Sequence, residues 1–283
     1  MQKIILVGYG NVGKEVEKVL RANGVAVDLI VKSDNAEEYS KNLDDQTVVF
    51  ISVPSRGDGS EMLHYYTGAL DRGASIVTCE KAVLANHWEL IKRYPEKIRY
   101  SATVGGDSGI LPAISNFHDE IREIRAVVNG TLNYIAQELA KDFPKERVYA
   151  DVIKKGFAEP GSKDFDEVIK NELKDVAYKA AILANHSGLC SGVTPADISM
   201  KVPKGGEGCA VKIQKGNVAI EFVSRKDAGS LPQGVNNVLY INGEKIVEGP
   251  GAGGRATALR MFKDFKTLQP DHHAKIDEWR GKK

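Results

Sequence analysis

Residues 171–184 read NELKDVAYKAAILA, and within them Asp175 and Lys179 stand four positions apart. At that spacing an acid and a lysine lie one turn apart on the same helix face. Two chemistries are open to such a pair. On a wet surface it is an ion pair worth about 0.3–0.5 kcal/mol. In a substrate cleft the lysine can move a proton while the acid fixes its side chain. Local periodicity does not choose between them, and the surface pair is the commoner pattern.

A second group lies at the other end of the chain. GYGNVG, with Gly8, Gly10 and Gly13, follows an apolar run and opens a helical pattern. This is the setting in which three glycines cradle a dinucleotide. The first makes the tight turn, the second admits a pyrophosphate, and the third lets helix and strand pack closely. Asn11 and Val12 complete the turn, and the helix N-terminus supplies N–H groups to the phosphates. The end of the next strand chooses the cofactor. DLIVKSDN places Lys32 and Ser33 there, a cation and a hydroxyl suited to the 2′-phosphate of NADP, with Arg56 as a second cation. Asp34 on the ribose of NAD is the alternative.

These residues need rigid elements to position them. KIILVGYG, VAVDLIV, TVVFISVP, ASIVTCE and KIRYSATV read as strands, with NVGKEVEKVLRANG, GSEMLHYYTGALDRG and LANHWELIKRY as intervening helices. Strands alternating with helices imply an α/β doubly wound parallel sheet. After about residue 125 the pattern turns to long helices, one over roughly 164–186. These are followed by sheet-like CAVKIQKGNVAIEFVSR and VNNVLYINGEKIVEG, in which Asn242-Gly243 signals a tight hairpin. That section is an inserted α+β domain. GPGAGG then leads into RATALRMFKDF, a helix with no sheet of its own, so the chain is expected to return to the first domain. The expected boundaries are 1–128 with 250–283, and 129–249.

The 283 residues carry a formal net charge of +1, which gives no argument for nucleic acid or an anionic membrane as partner. No apolar run approaches a membrane span. The N-terminus enters the glycine motif directly, without a cleavage-site pattern. Cys79, Cys190 and Cys209 form neither a disulfide framework nor a zinc cluster, and no metal site is expected. The expected compartment is the cytoplasm.

Seven segments, in order, resemble the homoserine dehydrogenase family: GYGNVG, TCEKAVLA, SATVGG, NGTLNYI, GFAEP, KDVAYKAAIL and NNVLYINGEKIVEGPGAGGRATA. The resemblance implies a split Rossmann-type nucleotide-binding domain, an inserted substrate and dimerisation domain, and a homodimer. It also implies NAD(P)-dependent interconversion of L-aspartate 4-semialdehyde and L-homoserine, a step towards threonine and methionine. By the same resemblance Lys179 is the proton donor and acceptor, Glu159 and Asp175 bind substrate, and Lys81 lies beside nicotinamide and substrate. Gly8, Gly10, Asn11, Val12 and Gly13 match the pyrophosphate loop. Pro54 and Ser55 match the nicotinamide-ribose segment, and Gly156, Gly251 and Gly253 line the cleft.

The residue types suit that reaction. Negative charge grows on the aldehyde oxygen as hydride arrives at carbon, and an ammonium group can stabilise or protonate it. Glu159 and Asp175 can hold the substrate's own ammonium. Three features depart from the family. Ser101 stands where an acid is common, Glu80 stands where asparagine is common, and the stretch from Glu159 to Asp175 is longer, as an extra helical turn or a reshaped lid. A related oxidoreductase acting on another small amino acid or aldehyde, or a non-catalytic NADP sensor, are the competing readings.

Overall fold

Four consecutive residues of the first strand, Ile4 to Val7, are at most 2% exposed. Such a run, buried on both faces, is what a central parallel strand requires. In this computed structural model, residues 2–157, 162–200, 208–223, 231–232, 235–251 and 253–268 are described. Two compact units divide the chain, one of Met1–Thr103 with the stretch from Gly253 onward, the other of Val104–Ala252.

The first unit alternates strand and helix: β1 (Lys3–Val7), α1 (Asn11–Ala22), β2 (Leu29–Val31), α2 (Glu38–Lys41), β3 (Thr47–Ile51), α3 (Ser60–Leu70), β4 (Ser75–Thr78), α4 (Ala82–Asn86), α5 (Glu89–Arg93) and β5 (Ile98–Arg99). The five strands form one parallel sheet in the order β2-β1-β3-β4-β5. The order reverses beside β1, so the loops after β1 and β3 flank the switch point where ligands bind in open α/β sheets.

Three elements are shorter than their sequence patterns suggest. β2 begins only at Leu29 because Asp28 uses its carboxylate to accept the Ile4 N–H at 2.7 Å; Val25 and Val27 pack on the core instead. The helical pattern of 84–94 breaks at His87, where Trp88 turns in against Tyr100, ring centroids 5.6 Å apart. β5 ends at Arg99, where a 3-10 turn over Ser101–Thr103 follows.

The second unit contains α6 (Ile110–Ser115), β6 (Glu123–Val127), α7 (Gly130–Leu139), α8 (Lys145–Lys154), α9 (Phe165–Ser187), β7 (Ser199–Met200), β8 (Gly208–Gln214), β9 (Asn217–Val223), β10 (Asn236–Ile241) and β11 (Glu244–Pro250). Its sheet has the order β11-β10-β6-β8-β9-β7, antiparallel except for the β7–β9 pair. The β10–β11 turn has Asn242 and Gly243 both at positive φ, 53° and 86°, as a type I′ hairpin demands. Helices α7 and α9 pack against β8 and β9. A cluster of Tyr134, Ile135, Val148, Val152 and Val168 joins α7, α8 and α9.

The last described helix, α10 (Gly254–Lys266), belongs to the first unit and lies along α1. Ala258, Met261 and Phe265 enter the same core as Ile4, Leu6, Val16, Leu20 and Phe50. The ring of Phe265 meets that of Phe50 at 5.5 Å. Burying one such aromatic is worth about 1.5–3 kcal/mol, which helps hold α10 on this sheet.

Candidate active site

In the first unit the glycine turn has the shape its sequence requires. Gly8 adopts φ +88°, and a Cβ on it would meet Val53 and Ser52 at under 3 Å. At Gly13 a Cβ would lie 2.2 Å from the Gly8 carbonyl oxygen, so only glycine lets α1 start this close to β1. Around Gly10 nothing lies within 4 Å of a Cβ position, and α1 has no side-chain N-cap. Open space in front of uncapped helix N–H groups fits a pyrophosphate. Asn11 is exposed and Val12 half-buried at this turn.

Lys32 and Ser33 are exposed just after β2. The Lys32 ammonium sits 5.3 Å from the ring centroid of Tyr9, the residue between the first two glycines. Tyr9 in turn donates its hydroxyl to Glu17 on α1. The backbone after β2 is fixed by Asn35, which accepts the Lys32 N–H at 2.7 Å and donates to the Ile30 carbonyl at 2.9 Å. A cation is thus held beside the glycine turn. Arg56 and Pro54 are exposed in the loop after β3.

Ser55 and Lys81 come together: the Lys81 N–H donates to Ser55 Oγ at 2.7 Å. Glu80, fully buried, turns away from that contact. Its two carboxylate oxygens accept the N–H groups of Ala82 and Val83 at 2.6 and 3.0 Å, and Tyr66 donates to it at 3.4 Å. Glu80 is therefore the side chain that satisfies the start of α4. Ser101 donates its N–H to Asp264 of α10 at 2.7 Å. So a carboxylate stands beside position 101 even though residue 101 is not an acid. Asp264 is 5% exposed, and burial raises its pKa to about 6.

In the second unit the pair that opened the sequence analysis is formed. Lys179 Nζ lies 2.6 Å from Asp175 Oδ2, the side chains 12% and 26% exposed. The ammonium also donates to the Val128 carbonyl, at the end of β6, at 2.7 Å. An ammonium has three N–H donors; among the described residues two of them are used, by Asp175 and the Val128 carbonyl. Asn129, the next residue, caps α7 by accepting the Leu132 N–H at 2.8 Å. Its Nδ2 donates to Glu172 Oε2 at 2.7 Å and Asp175 Oδ2 at 3.1 Å. Thr131 donates to the Phe157 carbonyl at 2.8 Å, next to Gly156, whose φ is +66°.

The stretch before Asp175 is helical. Asp164 accepts the Glu167 N–H at 2.8 Å, and α9 then runs unbroken for 23 residues. The segment thus places Glu172 one turn before Asp175. Glu159 lies outside the described residues. Gly251 ends up against Asn237 on β10, where a Cβ would overlap the amide at 2.1–2.3 Å; its small size is needed there for packing. Gly253 precedes α10 at φ 115°.

A sequence model of one family, homoserine dehydrogenase, matches residues 111–265, more than half of the chain. The chain belongs to the homoserine dehydrogenase family. Among related proteins, the homoserine dehydrogenase of Sulfurisphaera tokodaii is 26% identical across 95% of this chain and 99% of its own. That of Pyrococcus horikoshii is 27% identical across 77% and 70%. Two solved structures share the fold. A hyperthermophilic archaeal homoserine dehydrogenase mutant in complex with NADPH aligns with TM-score 0.74 at 22% identity, covering 95% of this chain and 98% of its own. The homoserine dehydrogenase from Thermoplasma acidophilum aligns with TM-score 0.70 at 22% identity, covering 94% and 98%. The Rossmann-type fold expected from the sequence is the one observed.

Within this homoserine dehydrogenase family member, sequence reasoning passed over two residues of the Lys179 cluster. Glu172 carried a signal, its three-residue spacing from Asp175, which puts both on one helix face. Asn129 carried only half a signal. An asparagine before Gly-Thr-Leu-Asn reads as a helix cap, but its donation to α9 joins residues 46 apart in sequence.

Proposed function

We propose that this chain catalyses the reversible, NADP-preferring reduction of L-aspartate 4-semialdehyde to L-homoserine, with Lys179 as its proton donor and acceptor. The observation that carries this is the Lys179 ammonium, held by Asp175 Oδ2 at 2.6 Å and the Val128 carbonyl at 2.7 Å, with one donor unused among the described residues. When bound, the reduced nicotinamide supplies a hydride to the aldehyde carbon. The aldehyde oxygen gains the electron pair of the broken C=O π bond, and Lys179 gives it the proton that completes the alcohol. In the reverse direction Lys179 takes that proton from the hydroxyl. Asp175 fixes the lysine and, with Glu159, accepts the substrate's α-ammonium; Lys81 is assigned to the same chemistry on the family resemblance.

Gly8, Gly10, Asn11, Val12 and Gly13 would hold the pyrophosphate. Ser55 would meet the nicotinamide ribose, and Lys32, Ser33 and Arg56 the 2′-phosphate. Purified protein should oxidise NADPH only when aspartate 4-semialdehyde is added, and L-homoserine should drive the reverse reaction. Tight NADPH binding without turnover would overturn the assignment.

We also propose a homodimer formed through the second unit's sheet. Val127, Ala210 and Val238 share one sheet face with Tyr240, and Leu231 packs against them. Arg125, Lys212 and Glu221 line a small hollow on that face. Val127, Ala210 and Val238 are themselves buried within the single chain, so the homodimer rests on the family resemblance. Sedimentation equilibrium giving a monomer at micromolar concentration would count against it. No described helix is long and apolar enough to cross a membrane. We assign the enzyme to the cytoplasm, supported by its three free cysteines; secretion of the native protein would contradict that.

A further inference from the structure

We propose that Asn129 is the positioning residue that sets the geometry of the Asp175–Lys179 pair. This rests on the reading of that pair as the substrate-side machinery. Asn129 is 5% exposed, and its amide orientation is fixed because Oδ1 accepts the Leu132 N–H at 2.8 Å. Nδ2 is therefore turned towards α9, where it donates to Glu172 Oε2 at 2.7 Å and Asp175 Oδ2 at 3.1 Å. The oxygen it reaches on Asp175 is the one that holds Lys179 Nζ at 2.6 Å. The residue before it, Val128, offers its carbonyl to the same ammonium at 2.7 Å.

Two consecutive residues at the β6–α7 turn thus grip both members of the pair, one by a donor and one by an acceptor. Glu172 and Asp175 are like charges one helical turn apart, an arrangement that repels. The Asn129 amide lies between them and donates to both, which offsets that repulsion and holds the two carboxylates in place. Asp175, held in this way, keeps Lys179 pointed at one place. Asn129 need not touch substrate to do this.

Asn129→Asp tests it, because aspartate caps α7 as well as asparagine does. It removes the two amide donations and adds a negative charge beside Lys179. Oxidation of L-homoserine by purified enzyme should show kcat reduced at least about tenfold, with the NADPH dissociation constant unchanged. The pH at which the rate reaches half its plateau should rise by about one unit, since added negative charge holds the lysine proton more tightly. Asn129→Ser, which keeps a cap but adds no charge, should lose kcat without that rise in midpoint. Wild-type kcat and midpoint in both variants, while Lys179→Ala is inactive, would overturn the proposal and leave the reading of the pair standing. An active Lys179→Ala would overturn both.

Discussion

Lys179 Nζ is 2.6 Å from Asp175 Oδ2, and the two side chains are 12% and 26% exposed. That burial separates the pair from the helix-surface ion pairs elsewhere in the chain, such as Lys18–Glu15, whose lysine is 66% exposed. Lys179→Ala is expected to lower kcat by about 10²–10⁴, the scale of a lost general acid–base, while NADPH titration by fluorescence stays unchanged. A near-normal kcat would return the pair to a structural role.

Cofactor preference should depend on Lys32. Its ammonium lies over Tyr9 at the glycine turn, and a hydrogen bond to a charged group is worth about 1.5–3 kcal/mol. Because Lys32 is exposed, the lower end applies. Lys32→Ala should reduce the ratio of kcat/KM for NADPH over NADH by about tenfold. An unchanged ratio would remove Lys32 from the 2′-phosphate site.

Stability should carry a pH signature from Asp264. Burial raises this carboxyl to about 6 in the folded protein from an ordinary 3.8. The folded state therefore binds the proton more tightly, and the stabilisation is full below about pH 4. It is lost as pH rises through about 6. Over that interval a difference of about two pH units amounts to about 3 kcal/mol. Asp264→Asn can still accept the Ser101 N–H but has no charge to desolvate. Chemical denaturation at pH 4.5 and 7 should show the variant gaining most at pH 7; an equal effect at both would refute the assignment.

Glu80 gives a stability prediction free of catalysis. Its carboxylate satisfies the Ala82 and Val83 N–H groups in a fully buried position. Glu80→Ala strands both donors, and a buried unsatisfied group costs about 1–3 kcal/mol. Denaturant midpoints should fall by an amount equivalent to about 2–4 kcal/mol, whereas a surface acid would change them little.

The parallel sheet, the glycine turn and the Asn242-Gly243 hairpin were legible in the sequence because each depends on local pattern. Continuous apolar runs need two covered faces, and positive φ needs glycine or asparagine. The long helix expected over roughly 164–186 was legible from its pattern, and the structure adds its cap at Asp164. The short β2, the broken helix at His87 and the early end of β5 were not. Asp28, Trp88 and Asp264 found partners that no window of neighbouring residues contains.

Sequence by itself determined that Asp175 and Lys179 share a helix face, since 3.6 residues per turn allow nothing else. It also supplied the ordered motifs that resemble the family. Only the tertiary structure decided that this face is turned to the β6–α7 turn, where Val128 and Asn129 hold the pair. The physical reason is distance along the chain. Helix periodicity fixes relations over four residues, while a hydrogen bond across 46 or 51 residues exists only once sheet and helices have packed.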